Sequence, residues 1–162
     1  DQWLINFLSA PLTFVLNGND LTLTSGTTVV SLLDREVAEP DQPLVGITWG
    51  LASFINGEVV SSVPAGISAS ITLFEDGTFS ANFGCNSGGG RYATAGDTIT
   101  FSEVIMTKMA CAGAAGQVES ALLTVIGAEA PVTFAIDADS LTLMAGPLGL
   151  QFAAAVDLPL NQ

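Results

Sequence analysis

Histidine is absent from the 162 residues of this chain, and lysine and arginine together number three. Without imidazole, Ser-His and Cys-His nucleophilic mechanisms are excluded and the commonest general base is missing. Arg35, Arg91 and Lys108 stand against sixteen acidic side chains, a net charge of −13. Such a balance repels phosphate backbones and anionic membrane surfaces, so no nucleic-acid partner is expected. The imbalance is spread along the chain: 1 − 4 = −3 over residues 1–36 and 2 − 12 = −10 over residues 37–162. It suits solubility in an extracytoplasmic or saline setting, or attraction to a basic partner. No apolar stretch approaches the roughly 18 residues of a membrane-spanning helix, so no transmembrane segment is expected. A basic-then-apolar leader and an Asn-x-Ser/Thr sequon are missing too. Helical periodicity is scarce, and cysteine occurs only twice.

What the chain does contain is a repeat. Pro11 to Leu33 (PLTFVLNGNDLTLTSGTTVVSLL) aligns without a gap on Pro131 to Ala153 (PVTFAIDADSLTLMAGPLGLQFA), an offset of 131 − 11 = 120 positions. A period that long points to tandem globular domains rather than a solenoid of short repeats. Residues 1–36 therefore read as the C-terminal part of a first domain, residues 37–43 as a linker and residues 44–156 as a complete second domain. The segment Glu36 to Pro43 (EVAEPDQP) has the acidic, proline-containing character of a boundary. On this reading residue 1 falls inside a domain. Thirty-six residues cannot bury enough apolar surface to fold alone, and Trp3, Ile5, Phe7, Phe14 and Leu16 need a cover. The missing N-terminal part of the first domain, or a neighbouring subunit adding a strand, is expected to supply it. A third arrangement lays the segment on the complete domain as an extension of its sheet.

One segment, Ala114 to Ile126, spaces Val118, Leu122 and Val125 as a helix does; Gln2 to Leu8 is its counterpart in the first copy. The rest reads as short strands with turns every 8 to 12 residues. Ser68–Phe74 and Thr78–Phe83 form a hairpin around Glu75-Asp76-Gly77, and Arg91–Thr94 pairs with Thr98–Val104 around Ala95-Gly96-Asp97. Strands are also expected over Gly50–Ile55, Val132–Ile136, Leu141–Met144 and Leu148–Ala153. The expected fold is α+β and mostly β: an antiparallel meander or small barrel-like sheet with one helix packed on it. Trp49, Phe74, Phe79, Phe83, Phe101, Phe134 and Phe152 fall on strands and are assigned to the core.

Gly84-Cys85-Asn86-Ser87-Gly88-Gly89-Gly90-Arg91-Tyr92, followed by Met106-Thr107-Lys108-Met109-Ala110-Cys111, resembles the paired signature of the META domain family, also called HslJ-like. There a Gly-Cys-Asn motif runs on to a Gly-x-Tyr, and a Thr-Arg/Lys-Met-x-Cys segment precedes the helix. Trp49 and the closing Leu150-Gln151-Phe152 match as well, so the likeness covers Leu44 to Ala153, while Asp1 to Leu33 resembles the end of another copy. One departure is Gly88, where the family often carries an aromatic. The resemblance implies a bacterial envelope, periplasmic or secreted protein with no established enzymatic activity, associated with stress response, motility or virulence. It carries over no catalytic residues, and neither an enzyme, a cofactor nor a metal is expected.

Cys85 and Cys111 are read as a disulfide, with two buried free thiols as the alternative; the bond would stabilise by about 3.5 kcal/mol on the chain-entropy model. Two thiolates without histidine fall short of a zinc site, and the spacing is not that of a Cys-x-x-Cys redox pair. Asn86, Ser87, Gly88, Gly89, Gly90, Arg91 and Tyr92 form a possible recognition loop, with the glycines read as permitting positive φ in a tight hairpin. Arg91-Tyr92 opens a strand where a phosphate-binding loop needs Lys-Ser/Thr and a helix. The acidic pairs Glu75-Asp76 and Asp137/Asp139, with Asn17-Asn19-Asp20, are read as turn chemistry, calcium ligation being the alternative. The leading expectation is a non-enzymatic binding or structural module with an unidentified protein partner. The alternatives are an inhibitor of an extracellular hydrolase such as a protease, and a small-ligand or calcium-binding carrier.

Overall fold

The computed structural model describes residues 2–155, and the chain divides into two compact units between Asp41 and Gln42. It is mostly β, with antiparallel sheets and one main helix.

The first unit begins with helix α1 (Gln2–Ser9), on which Trp3 stacks against the buried Phe7 with ring centroids 5.5 Å apart. Three strands follow as a meander: β1 (Thr13–Asn17), β2 (Asp20–Ser25) and β3 (Thr28–Leu33). The two tight turns between them use Gly18 (φ 61°) and Gly26 (φ 58°), where the missing Cβ removes the penalty of left-handed backbone. A single-turn helix, α2 (Arg35–Ala38), follows, capped by Asp34, whose Oδ1 accepts a 2.9 Å hydrogen bond from the Glu36 amide. It enters the segment read from sequence as linker, because an Asp at the N-cap supplies the acceptor that a helix start needs.

The second unit runs β4 (Thr48–Asn56), β5 (Val59–Ser62), β6 (Ser70–Leu73), β7 (Thr78–Asn82), β8 (Ser87–Ala95), β9 (Thr98–Met106), α3 (Gly113–Ile126), β10 (Val132–Asp137), β11 (Ser140–Ala145) and β12 (Leu148–Ala154). Strands pair in the order β12-β11-β10-β9-β8-β7-β6-β4, and β12 pairs again with β4, so of the two expected forms, meander or small barrel, the sheet takes the closed antiparallel barrel. Strand β5 stands outside the ring: it takes the Ser53–Asn56 half of β4 while β6 takes Thr48–Gly50. Neither β5 nor α2 stood out in the sequence.

Alternation decides which side chains go inside. Ile71 and Leu73, Phe79 and Ala81, Ile99 and Phe101, Leu141 and Leu143 are two apart on their strands and all are buried. Val118, Leu122, Val125 and Ile126 of α3 join the same core, each fully buried aliphatic contributing about 1.5–3 kcal/mol. Trp49 is fully buried within it, its Nε1 donating to the Leu44 carbonyl at 3.0 Å. Phe134 is only partly buried at the core edge. Phe74 departs from expectation: with Leu73 turned inward, the pleat turns Phe74 outward, and it is 41% exposed.

The two ends of the repeat share one pairing scheme. In the first unit Thr13 faces Thr24, Leu16 faces Leu21 and Leu21 faces Leu32; in the second Thr133 faces Met144, Ile136 faces Leu141 and Leu141 faces Phe152. Every pairing of the first meander recurs 120 positions later. The turn residue Gly18 corresponds to Ala138, which holds φ 53° with a Cβ, and Gly26 corresponds to Gly146 at φ 61°.

Candidate functional site

Asn86 follows β7 at the point where the chain turns into β8, and its side chain is buried. Its Oδ1 accepts from Thr107 Oγ1 (2.7 Å) and from the Met109 amide (2.8 Å). Its Nδ2 donates to the Met109 carbonyl (3.1 Å) and to Glu119 Oε2 (2.9 Å), and lies 3.0 Å from Cys111 Sγ. The Asn86 amide donates to the same Glu119 oxygen at 3.1 Å, and its carbonyl accepts from Phe83. Only a primary amide offers two donors and an acceptor in one plane, which ties three chain segments together at one point. Beside it Cys85 and Cys111 form a disulfide, Cα atoms 6.0 Å apart, as expected from sequence.

Glu119 was not anticipated. It is the sole charged residue of α3, and that isolation on an otherwise uncharged helix was the available signal. Glu119 and the two cysteines bring their ligand atoms within 4.8 Å of one another. Both sulfurs are spent on the disulfide, so the cluster offers no thiolate. Among the described residues the acidic turns bring no three carboxylates together. Asp76 Oδ1 instead accepts from the Thr78 amide (3.0 Å) and hydroxyl (2.6 Å), and those bonds, with Arg91 nearby, hold its carboxyl below the usual carboxylate range.

A family model describing the META domain matches residues 42–156. The chain belongs to the META domain family. Two solved structures share the fold: an NMR structure of a protein from Burkholderia xenovorans, 24% identical over 70% of this chain and 84% of that one, TM-score 0.58; and a second protein's NMR structure, 22% identical over 67% and 89%, TM-score 0.53. No curated protein matches the chain.

Within this META domain the segment read as a recognition loop is not a loop. Ser87 through Tyr92 belong to β8, paired with β7 on one side and β9 on the other, and Asn86 is internal. The glycines are required by crowding rather than by positive φ. A Cβ would fall 2.2 Å from the Ile105 carbonyl oxygen at Gly88, 2.3 Å from that of Phe79 at Gly89 and 2.6 Å from that of Ser102 at Gly90. The register of β8 on β9 shifts between Gly89 and Arg91, a bulge within this crowded stretch. The projecting loop needed by the protease-inhibitor alternative is therefore strand. Arg91 is exposed; Tyr92 is partly buried, its hydroxyl donating to the Phe74 carbonyl at 2.8 Å. Burial pushes that hydroxyl above its usual value, and Asp76 and Glu75 add to the effect.

Two other surfaces could receive a ligand. A cleft of about 270 Å³ runs between the β4–β5 hairpin, α3 and β12, lined among others by Phe54, Ser61, Ala121, Thr124 and Gly149. In the first unit Leu16, Leu21, Leu32 and Leu33 line a concavity of about 340 Å³.

Proposed function

We propose that the chain is a non-enzymatic binding and structural module of the bacterial envelope or extracellular space, built from tandem META domains of the HslJ-like kind and acting by surface recognition of a protein. The observation that carries this reading is the apolar face of the first meander. Phe14 and Leu16 are 72% and 67% exposed at positions whose counterparts, Phe134 and Ile136, pack on the core of the second unit. A contiguous exposed apolar surface of this kind marks an interface. The matching register supports taking the first unit as the tail of another META domain. The disulfide suits an oxidising compartment, and among the described residues no helix is long and apolar enough to cross a membrane. Cys85, Asn86, Cys111 and Glu119 are occupied with one another, which favours a structural use of the signature over a catalytic one.

Site-specific photo-crosslinking in cells tests this. A photoreactive residue at Leu16 or Leu32 gives a discrete protein adduct, and one at Ser80 on the outer barrel surface gives none. Absence of any adduct at the first two positions, or equal adducts at all three, contradicts the reading. The cleft beside α3 favours a second reading as a small-ligand carrier, checked by whether an apolar fluorescent probe binds there and is displaced by Ala121→Trp.

A further inference from the structure

We infer that the first unit is a receptor for the front portion of a META domain, which adds one strand to each edge of the β1–β3 meander and a core to its apolar face. This rests on the reading of that unit as a META tail.

In the second unit, β10–β12 is held by the front of its own domain at several places. The outer edge of β12 pairs antiparallel with β4, from Leu148 opposite Asn56 to Ala154 opposite Trp49. The start of β10 pairs with β9, Val132 opposite Ile99 and Thr133 opposite Thr98. The Phe134 amide donates to the Asp97 carbonyl at 2.7 Å. The Ala138 carbonyl accepts from the Gln42 amide at 2.8 Å. Shifted by 120 positions, these contacts fall on Thr28–Asp34, Leu12 and Thr13, Phe14, and Gly18. Among the described residues, the sheet of the first unit ends at β1 and β3, with no further strand on either edge.

The side chains are ready for the same partner. Phe14, Leu16, Leu21, Leu23, Val30 and Leu32 stand where Phe134, Ile136, Leu141, Leu143, Leu150 and Phe152 stand. Phe152 is fully buried and Leu32 is 47% exposed. The opposite face mixes Thr13, Asn17, Thr22, Thr24 and Ser31 with Val15, Val29 and Leu33, so it is the more polar of the two, while the positions named on the first face are all apolar. Strands β1 (TFVLN) and β3 (TVVSLL) contain neither charge nor proline, so their edges lack the devices that block strand addition. The occupant is thus a segment built like Gln42–Ser120, whose first strand reads as β4 and whose last strand reads as β9.

The test extends the full chain with its own front: residues 42–120 are placed ahead of Asp1, the residue that corresponds to Ala121, and backbone amide exchange is compared with that of the unextended chain. Exchange across Thr28–Leu33 is expected to slow about 100-fold or more and dye binding to the apolar face to vanish. Leu32→Asp in the extended chain restores fast exchange. Unchanged exchange across β3, while cross-strand contacts confirm Thr13 opposite Thr24, overturns the receptor proposal and leaves the tail reading intact. Loss of that register overturns the tail reading itself. Concentration-dependent protection of β3 in the unextended chain assigns the surface to a second copy and also overturns the proposal.

Discussion

Asn86 shows how one side chain can hold a motif together. Asn86→Ala removes the side-chain partner of the Met109 amide and carbonyl and one of the two Asn86 donors to Glu119 Oε2, the backbone amide remaining, and leaves partly buried Met109 groups unpaired. A loss of about 2–4 kcal/mol in denaturant unfolding is expected with the disulfide intact. A loss below about 1 kcal/mol would show that water replaces the amide. Tyr92 offers a second residue-level check because it is the only tyrosine. Its hydroxyl titrates higher in the folded chain than in the unfolded one, where the value is 10.0, so the protonated form favours folding. That contribution is complete below pH 10 and disappears as pH rises through the raised folded value. Ultraviolet titration should place the midpoint above 10, and Tyr92→Phe should remove the corresponding fall in stability; a midpoint at or below 10 contradicts the geometry. The disulfide and the inward aromatics were readable from residue type and position. Glu119 was not, because its role depends on which turn of α3 meets the Asn86 corner.

Strand β8 is where sequence reasoning and structure part. Three successive glycines carry no side-chain pattern, so the period-2 signal that identified β6, β7 and β9 vanishes over Gly88–Gly90 and the segment reads as a loop. The physical demand is long-range: glycine is set by how closely Ile105, Phe79 and Ser102 approach, and those neighbours are distant in sequence. Gly89→Ala should therefore cost about 1–3 kcal/mol. A Gly46→Ala control sits in open space but at φ 89°, so its cost reflects backbone strain alone. A Gly89→Ala variant of unchanged stability would mean that the strands can separate without cost. The helix Gly113–Ile126 and both hairpins were legible to within a few residues because each has its own periodicity or turn signal. Strand β5 lies at the edge with all four residues exposed, so no burial pattern announces it.

For the whole molecule, the sequence offered a small barrel-like sheet as one of two forms but not the pairing that closes it. Pairing of β12 with β4 joins the two ends of the domain, and no local pattern encodes it. The repeat, by contrast, was fully visible, and its pairing scheme recurs residue for residue. That recurrence sets up an asymmetry between equivalent positions. Leu32→Asp should change the unfolding of the second unit by no more than about 0.5 kcal/mol, whereas Phe152→Asp buries an unpaired charge at a fully buried site and should abolish its folding. Circular dichroism melts of the two variants check this. The most direct measurement is residue-level amide exchange on the unmodified chain. The account predicts strong protection along β11 and β12 and fast exchange along the outer edge of β3, although both meanders share one register. Equal protection of β3 and β12 in a monomer would show that the first unit is complete without a partner, contradicting the central claim.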